Sequence, residues 1–182
     1  MRRDLVAAAQ GGDELAFAEL IGQFGDRLYA TAYHILRDTS RADDAAQQAM
    51  IDMWRKLPNL KNAESFPAWA YRILIRAAYA EAARHKRWVV RATRVRQSPL
   101  VQPDLAAGVV ERDRLDRAIG DLPLDHRAVI VLKHYAGLSD SQISTALAIP
   151  EGTVRSRLHY ATRSLRASLA IGDRLAVSAT ES

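Results

Sequence analysis

The sequence predicts an all-α protein of two small helical domains joined by a basic, flexible linker, and three observations carry that prediction. Alanine, leucine and arginine dominate, while β-branched and aromatic residues are scattered. Nowhere does a run alternate cleanly between apolar and polar residues, as a half-buried strand would. The helical period also fails once, over residues 91–105, where Ser98-Pro99 and Gln102-Pro103 discourage helix.

A first helix is expected over residues 4–10, ended by Gly11-Gly12. Asp13 can cap a second, accepting from the free amides of its first turn. In that helix Phe17, Leu20, Ile21, Phe24, Leu28, Ala32, Ile35 and Leu36 recur at helical spacing, to about residue 37. Asp38 or Ser40 can cap a third helix, with Ala45, Ala49, Met53 and Leu57 on one face beside Met50 and Trp54, and Pro58 marking its end. A polar loop, residues 59–65, leads to a fourth helix over residues 66–87 that carries Trp69, Ile73, Ala77 and Ala80 on one side. Its basic far end suits the negative end of a helix dipole. A second helical domain is expected over residues 106–169, and the tail, 170–182, lacks periodicity and should fray.

Charge is distributed unevenly. The formal net charge is +5, but residues 1–83 hold 10 basic and 11 acidic side chains, residues 84–110 hold 6 and 1, and residues 111–182 hold 10 and 9. The excess therefore lies in the middle, where Arg84, Lys86, Arg87, Arg91, Arg94 and Arg96 precede the first carboxylate, Asp104. Such a stretch attracts a polyanion through counterion-releasing contacts; a solvated linker is the competing explanation. The absence of cysteine excludes a disulfide framework and a thiolate zinc site. Asp4 and Gly11-Gly12-Asp13 interrupt the amino terminus too early for a secretory signal, and no run approaches the roughly 18 apolar residues of a spanning helix. A cytoplasmic protein without stable membrane insertion is expected.

The most informative segment is residues 138–158. Ser139 and Gln142 have capping-box spacing, so a short helix should begin there and bury Ile143, Ala146 and Leu147. Pro150 stands near the start of the next helix, where its fixed φ is favourable. Val154, Leu158, Ala161 and Leu165 form a buried stripe opposite Arg155, Ser156, His159, Tyr160 and Arg163. Short helix, tight turn and longer basic helix make a helix-turn-helix, whose second helix enters the major groove of DNA.

The string from Leu122-Pro123 through Gly137-Leu138-Ser139 to Gly152-Thr153-Val154-Arg155-Ser156-Arg157-Leu158 closely resembles region 4 of extracytoplasmic-function sigma factors. In the amino-terminal half Ala42-Asp43-Asp44, Gln47 and Trp54 resemble region 2.2, and Phe66, Trp69 and Ile73 fit regions 2.3 and 2.4. The resemblance covers about residues 4–169. It implies a region 2 bundle over residues 1–90, a linker over 91–105, a region 4 helix-turn-helix over 106–169 and a tail over 170–182. The function implied is that of a subunit that binds core RNA polymerase and directs it to promoters, in a stress or envelope response. It needs no cofactor, no metal and no catalytic site. An anti-sigma protein, which most relatives have, would sequester it at the membrane, the linker letting both domains close on one another.

Roles follow from position in the motifs. Thr153, Arg155, Ser156, Arg157, His159, Tyr160 and Arg163 would meet the minus 35 duplex, with Arg157 and Arg163 on phosphates. Lys61, Asn62, Ser65, Trp69, Arg72, Arg76 and Arg84 would meet the melted minus 10 strand, where a flipped base must regain its lost stacking. Asp43, Asp44, Gln47, Gln48 and Asp52 would dock on core polymerase, their charge steering association. The chain departs from the family pattern at Gln142, Tyr160 and Thr162 and, in region 2.4, at Arg76 and Ala80, so promoter preference cannot be copied from a typical member. The rival reading is a dimeric helix-turn-helix operator-binding regulator with a helical effector domain. An enzyme is disfavoured because His34, His85, His126, His134 and His159 show no metal-ligand spacing and no phosphate loop or nucleophile motif is present.

Overall fold

The computed structural model describes residues 3–95 and 110–180, and among these it contains helices and no strand. Helix α1, Arg3–Gln10, leads through Gly12, whose φ of 92° suits a glycine, into α2, Glu14–Leu36. Asp13 caps α2 as expected, its Oδ1 accepting from the amides of Leu15 and Ala16 at 2.9 and 3.0 Å. Asp38, rather than Ser40, caps α3, Thr39–Lys56, by accepting from the amide of Arg41. Two single 3-10 turns, Leu57–Asn59 and Ala63–Ser65, bound the polar loop.

Helix α4 spans Phe66–Val95, longer than the sequence predicts. The stretch 91–95, expected as the start of an extended linker, is helical; no proline lies between Pro67 in the first turn of α4 and Pro99, and basic residues are well placed at a helix's carboxyl end. The remainder of the expected linker, 96–105, lies outside the described residues. The buried surface of α4 is also wider than the stripe read from the sequence. Ile73 is buried, Trp69 and Ala77 are half-buried and Ala80 is exposed. The deepest positions are instead Phe66, Ala70, Tyr71, Leu74, Ile75 and Ala78. Spacings of three and four put Phe66, Ala70 and Ile73 on one line and Tyr71, Ile75 and Ala78 on another. The first line faces the amino-terminal helices, the Phe66 ring meeting that of Phe24 edge-on at 5.7 Å.

The second line is covered by the carboxy-terminal half. There α5, Val110–Gly120, and α6, Leu124–Ile130, are followed by one π-helical turn, Val131–Tyr135, then α7, Asp140–Leu147, and α8, Glu151–Thr180. The capping box forms as expected: Ser139 Oγ accepts from the Gln142 amide, and Gln142 Oε1 accepts from the Ser139 amide at 2.8 Å. Pro150 is the last residue before α8, its carbonyl accepting from the amides of Thr153 and Val154. Helix α8 runs on to Thr180 rather than ending near 169; Ala170, Arg174, Leu175, Ala176 and Ala179 favour helix, outweighing Gly172, and no proline interrupts it. Val129, Leu132, Leu138, Ile143 and Val154 share one buried cluster with Leu20, Leu28, Ile35, Met53 and Leu74 of the first half.

Removing Leu74, which is fully buried in that shared cluster, should be far more damaging than removing a cap. Thermal unfolding should show Leu74→Ala destabilised by about 2–5 kcal/mol and Asp13→Ala by about 1 kcal/mol.

Candidate nucleic-acid interface

Helix α8 is oriented by burying Val154 and Ala161 completely and Leu158 and Leu165 in part. The face this leaves outward carries Arg155, Ser156, His159 and Arg163, all exposed, with Thr153 half-buried at the start of the helix. Arg155, His159 and Arg163 follow at intervals of four, so three side chains line one ridge. Tyr160, 58% exposed, lies to one side, its ring 5.7 Å from that of His159 and stacked on His126 of α6 at 6.5 Å. Arg157 does not join this ridge. It turns toward α6, where its guanidinium pairs with Asp125 at 2.7 Å.

In the first half Lys61, Asn62 and Ser65 are exposed in the loop before α4. Asn62 is partly committed, its Oδ1 accepting from the Glu64 amide at 2.9 Å. Along α4, Trp69, Arg72, Arg76 and Arg84 lie on one flank; Arg76 and Arg84 are exposed, Trp69 and Arg72 half-buried. The Trp69 ring packs 5.7 Å from Phe66. Arg84 pairs with the buried Glu81 at 2.7 Å. The same flank ends at Trp88, 58% exposed, which the sequence reading passed over although a tryptophan in a basic run is itself a signal.

A third surface is on α3. Asp43, Asp44, Gln47 and Gln48 are exposed, whereas Asp52 is half-buried between Gln48 and Lys56, accepting at 3.1 and 2.5 Å. The Lys56 bond, above all, lowers the Asp52 pKa. Ile51, 41% exposed, stands among these polar groups and was also missed; an apolar side chain interrupting a polar face is the sign that could have found it.

Comparison with known proteins covers both halves. The family model for sigma-70 region 2 matches residues 20–89, and that for sigma-70 region 4 matches residues 112–165. The RNA polymerase sigma-H factor of Pseudomonas aeruginosa is 30% identical over 179 residues, 92% of this chain and 93% of that one. The ECF RNA polymerase sigma factor SigL of Mycobacterium tuberculosis is 32% identical over 168 residues, 90% of this chain and 94% of its own. This chain belongs to the extracytoplasmic-function sigma factor family. Among solved structures, CnrH in complex with the cytosolic domain of CnrY is similar with a TM-score of 0.68 at 25% identity, over 93% of this chain and 97% of that one. The sigma factor RpoE of Bartonella quintana, in complex with the anti-sigma factor NepR, shares the fold with a TM-score of 0.71 at 21% identity, over 85% and 97%. The match of residues 20–89 to region 2 decides against an operator-binding regulator, whose effector domain would have no reason to carry it. The protein is a promoter-directing sigma factor.

Where the two halves of this sigma factor meet, polar contacts edge the shared core. Arg37, ending α2 in the left-handed region at φ 58°, sends two parallel hydrogen bonds of 2.6 Å to Asp116 of α5. These bonds raise the Arg37 pKa and lower that of Asp116. Arg127 of α6 donates to the carbonyls of Ile35 at 2.9 Å, Gly120 at 2.6 Å and Leu122 at 2.9 Å, and its burial lowers its pKa. Farther along, the Tyr79 hydroxyl of α4 donates to Asp125 at 2.9 Å. Burial first, and then that bond, push the Tyr79 pKa upward. Beside it a cleft of about 320 Å³ is lined by Ile75, Arg76, Tyr79, Asp125, Leu147 and Arg157. None of these cross-chain pairs is legible in the sequence, because each joins residues tens of positions apart with no motif between them.

His34 lies at the same seam, its Nδ1 3.8 Å from Asp116 and its ring 4.7 Å from that of Tyr135, with Arg37 and Tyr33 close by and His134 on the same cleft. Burial outweighs Asp116 and lowers its pKa from the ordinary 6.5. The folded chain therefore binds this proton less readily than the unfolded chain, so its contribution to stability is complete above pH 6.5 and declines as pH falls through that value. Melting temperatures recorded from pH 7.5 down to 5.5 should fall, and His34→Gln should flatten part of the decline.

Proposed function

We propose that this sigma factor reads promoter DNA in two forms, duplex through α8 and melted strand through α4 and the loop before it. The observation that carries the first reading is the exposed ridge of Arg155, Ser156, His159 and Arg163 on a helix whose other face is buried. Arginine can bond guanine at two points in the major groove, and the neighbouring hydroxyl and imidazole can bond base edges. Arg163 and the side-lying Arg157 suit phosphates, and Thr153 and Tyr160 border the ridge. For the melted strand, Lys61, Asn62 and Ser65 offer groups for a base edge, Trp69 a partly open ring, and Arg72, Arg76 and Arg84 cations along the backbone's path. Trp88 extends that path.

The α3 surface is the proposed dock for core polymerase. Asp43, Asp44, Gln47 and Gln48 surround Ile51, an apolar centre with a polar rim, the common anatomy of a protein interface. Asp52, tied to Lys56, orders the end of this surface. The protein works by binding rather than by bond-making, and its place is the cytoplasm, beside polymerase and chromosome. Among the described residues no helix is long and apolar enough to cross a membrane. That CnrH was solved in complex with the cytosolic domain of CnrY supports a protein partner of that kind here also. We take residues 1–90 and 106–169 as the two functional domains.

Purified chain should co-elute with core RNA polymerase on a sizing column and support run-off transcription from a genomic promoter library. Failure of both with folded protein would refute the proposal. Arg155→Ala should lower promoter affinity by about 1–3 kcal/mol and relax base preference at one upstream position; an unchanged preference removes it from the reading set. Reversal of Asp43 and Asp44 to lysine should weaken core binding and leave the fold intact, as checked by circular dichroism.

A further inference from the structure

Tyr160 stands on the outward side of α8, 58% exposed, yet two neighbouring rings fix how it stands. His159 meets it edge-on, at 5.7 Å and 75°, and His126 of α6 lies nearly parallel to it, at 6.5 Å and 12°. Both separations fall in the range over which aromatic pairs attract. Helix α6 is held against α8 there by its own contacts. Leu122 and Ile130, on either side of His126 in the chain, cluster with Ala161, and Asp125 pairs with Arg157 at 2.7 Å. An isolated exposed tyrosine samples several rotamers. This one is ordered before any partner arrives, so it loses less entropy on binding.

Tyr160 follows Ser156 by four residues, so the two form a line beside the ridge of Arg155, His159 and Arg163. The Ser156 hydroxyl donates to the Thr153 carbonyl at 3.0 Å, which leaves its oxygen as an acceptor for a base edge. Tyrosine offers something different from serine or arginine. It has no fork of donors with which to bond guanine at two points, and its ring carbons present an apolar edge. In the major groove thymine alone carries an apolar group, its C5 methyl.

We propose that Tyr160 selects thymine in the upstream duplex element by contact with its C5 methyl, and that His126 is the positioning residue that holds the ring from behind. The inference deepens the duplex-reading role proposed for α8 and rests on it. Tyr160 is a position at which the chain departs from the family pattern, and this contact turns the departure into a base preference of the chain's own. His126 lies in α6, outside the reading helix, and acts only through Tyr160.

Holoenzyme reconstituted from the full chain and core polymerase should select, from promoters randomised over the upstream element, a thymine close to the base pair governed by Arg155. Tyr160→Ala should abolish that preference, Tyr160→Phe should keep it, and Tyr160→Arg should replace thymine with guanine. Deoxyuridine, which is thymidine without its methyl, should weaken binding at that position roughly two- to fivefold, the scale of burying one methyl-sized group. With Tyr160→Ala the same replacement should change nothing. His126→Ala should shrink the deoxyuridine effect, His126→Phe should restore it, and neither should matter once Tyr160 is alanine. A histidine that is merely structural lowers binding to every sequence alike, and that outcome overturns the positioning role. The deoxyuridine replacement leaves the protein unaltered, so it judges the contact even where a variant fails to fold: equal affinity for the two bases at every position overturns the proposal. If Arg155→Ala also leaves base preference unchanged, α8 is not the reader and the underlying reading fails. If Arg155→Ala shifts preference and no Tyr160 variant does, this inference alone fails.

Discussion

The need to cover two apolar lines on α4 governs the architecture. Phe66, Ala70 and Ile73 are covered by the amino-terminal helices, and one antiparallel neighbour would complete an ordinary bundle. Tyr71, Ile75 and Ala78 form a second buried line, and Ile75 meets the cleft shared with α7. Exposing it would leave a contiguous apolar strip, which folded domains seldom tolerate unless it is a binding surface. The helix-turn-helix covers it, with Leu147 and Ile149 opposite Ile75 and Tyr79. The same burial that satisfies α4 therefore fixes where the DNA-reading helix sits.

Polar groups turn this apolar contact into a specific one. Hydrophobic burial is non-directional and would accept several registers of one half on the other. The two parallel bonds between Arg37 and Asp116 have a fixed geometry that an ammonium could not reproduce. Arg127 reaches a carbonyl at the end of α2 while also closing its own turn. These pairs are partly exposed, so their strength is reduced by solvent.

The surfaces proposed to meet DNA and polymerase are distributed by the same logic. The ridge of Arg155, His159 and Arg163 lies opposite the stripe of α8 that packs inward, and the α3 dock lies opposite Ala42, Ala45 and Ala49. Small alanines let α3 approach closely and leave its outer face to larger polar groups. Arg157 and Arg76 stand at the boundary, both lining the cleft between α4 and the carboxy-terminal half.

Much of this was legible beforehand. The caps at Asp13 and Ser139, the buried stripe of α8 and the exposed ridge opposite it follow from short-range chemistry, in which a side chain and the amide it bonds are two or three residues apart. The family resemblance was carried by contiguous strings of the same kind. Both α4 and α8 outrun their apolar periodicity, because the fading of that pattern marks the end of a buried face and not of the backbone hydrogen bonding, which goes on where no proline intervenes. The sequence by itself thus determined helices, caps, the helix-turn-helix and the function class. Only the tertiary structure decided that α4 is buried on two sides, that Arg157 faces Asp125 rather than the ridge, and that Arg37 meets Asp116. Those contacts join positions far apart in the chain, and their partners are chosen by packing geometry, which no local pattern encodes.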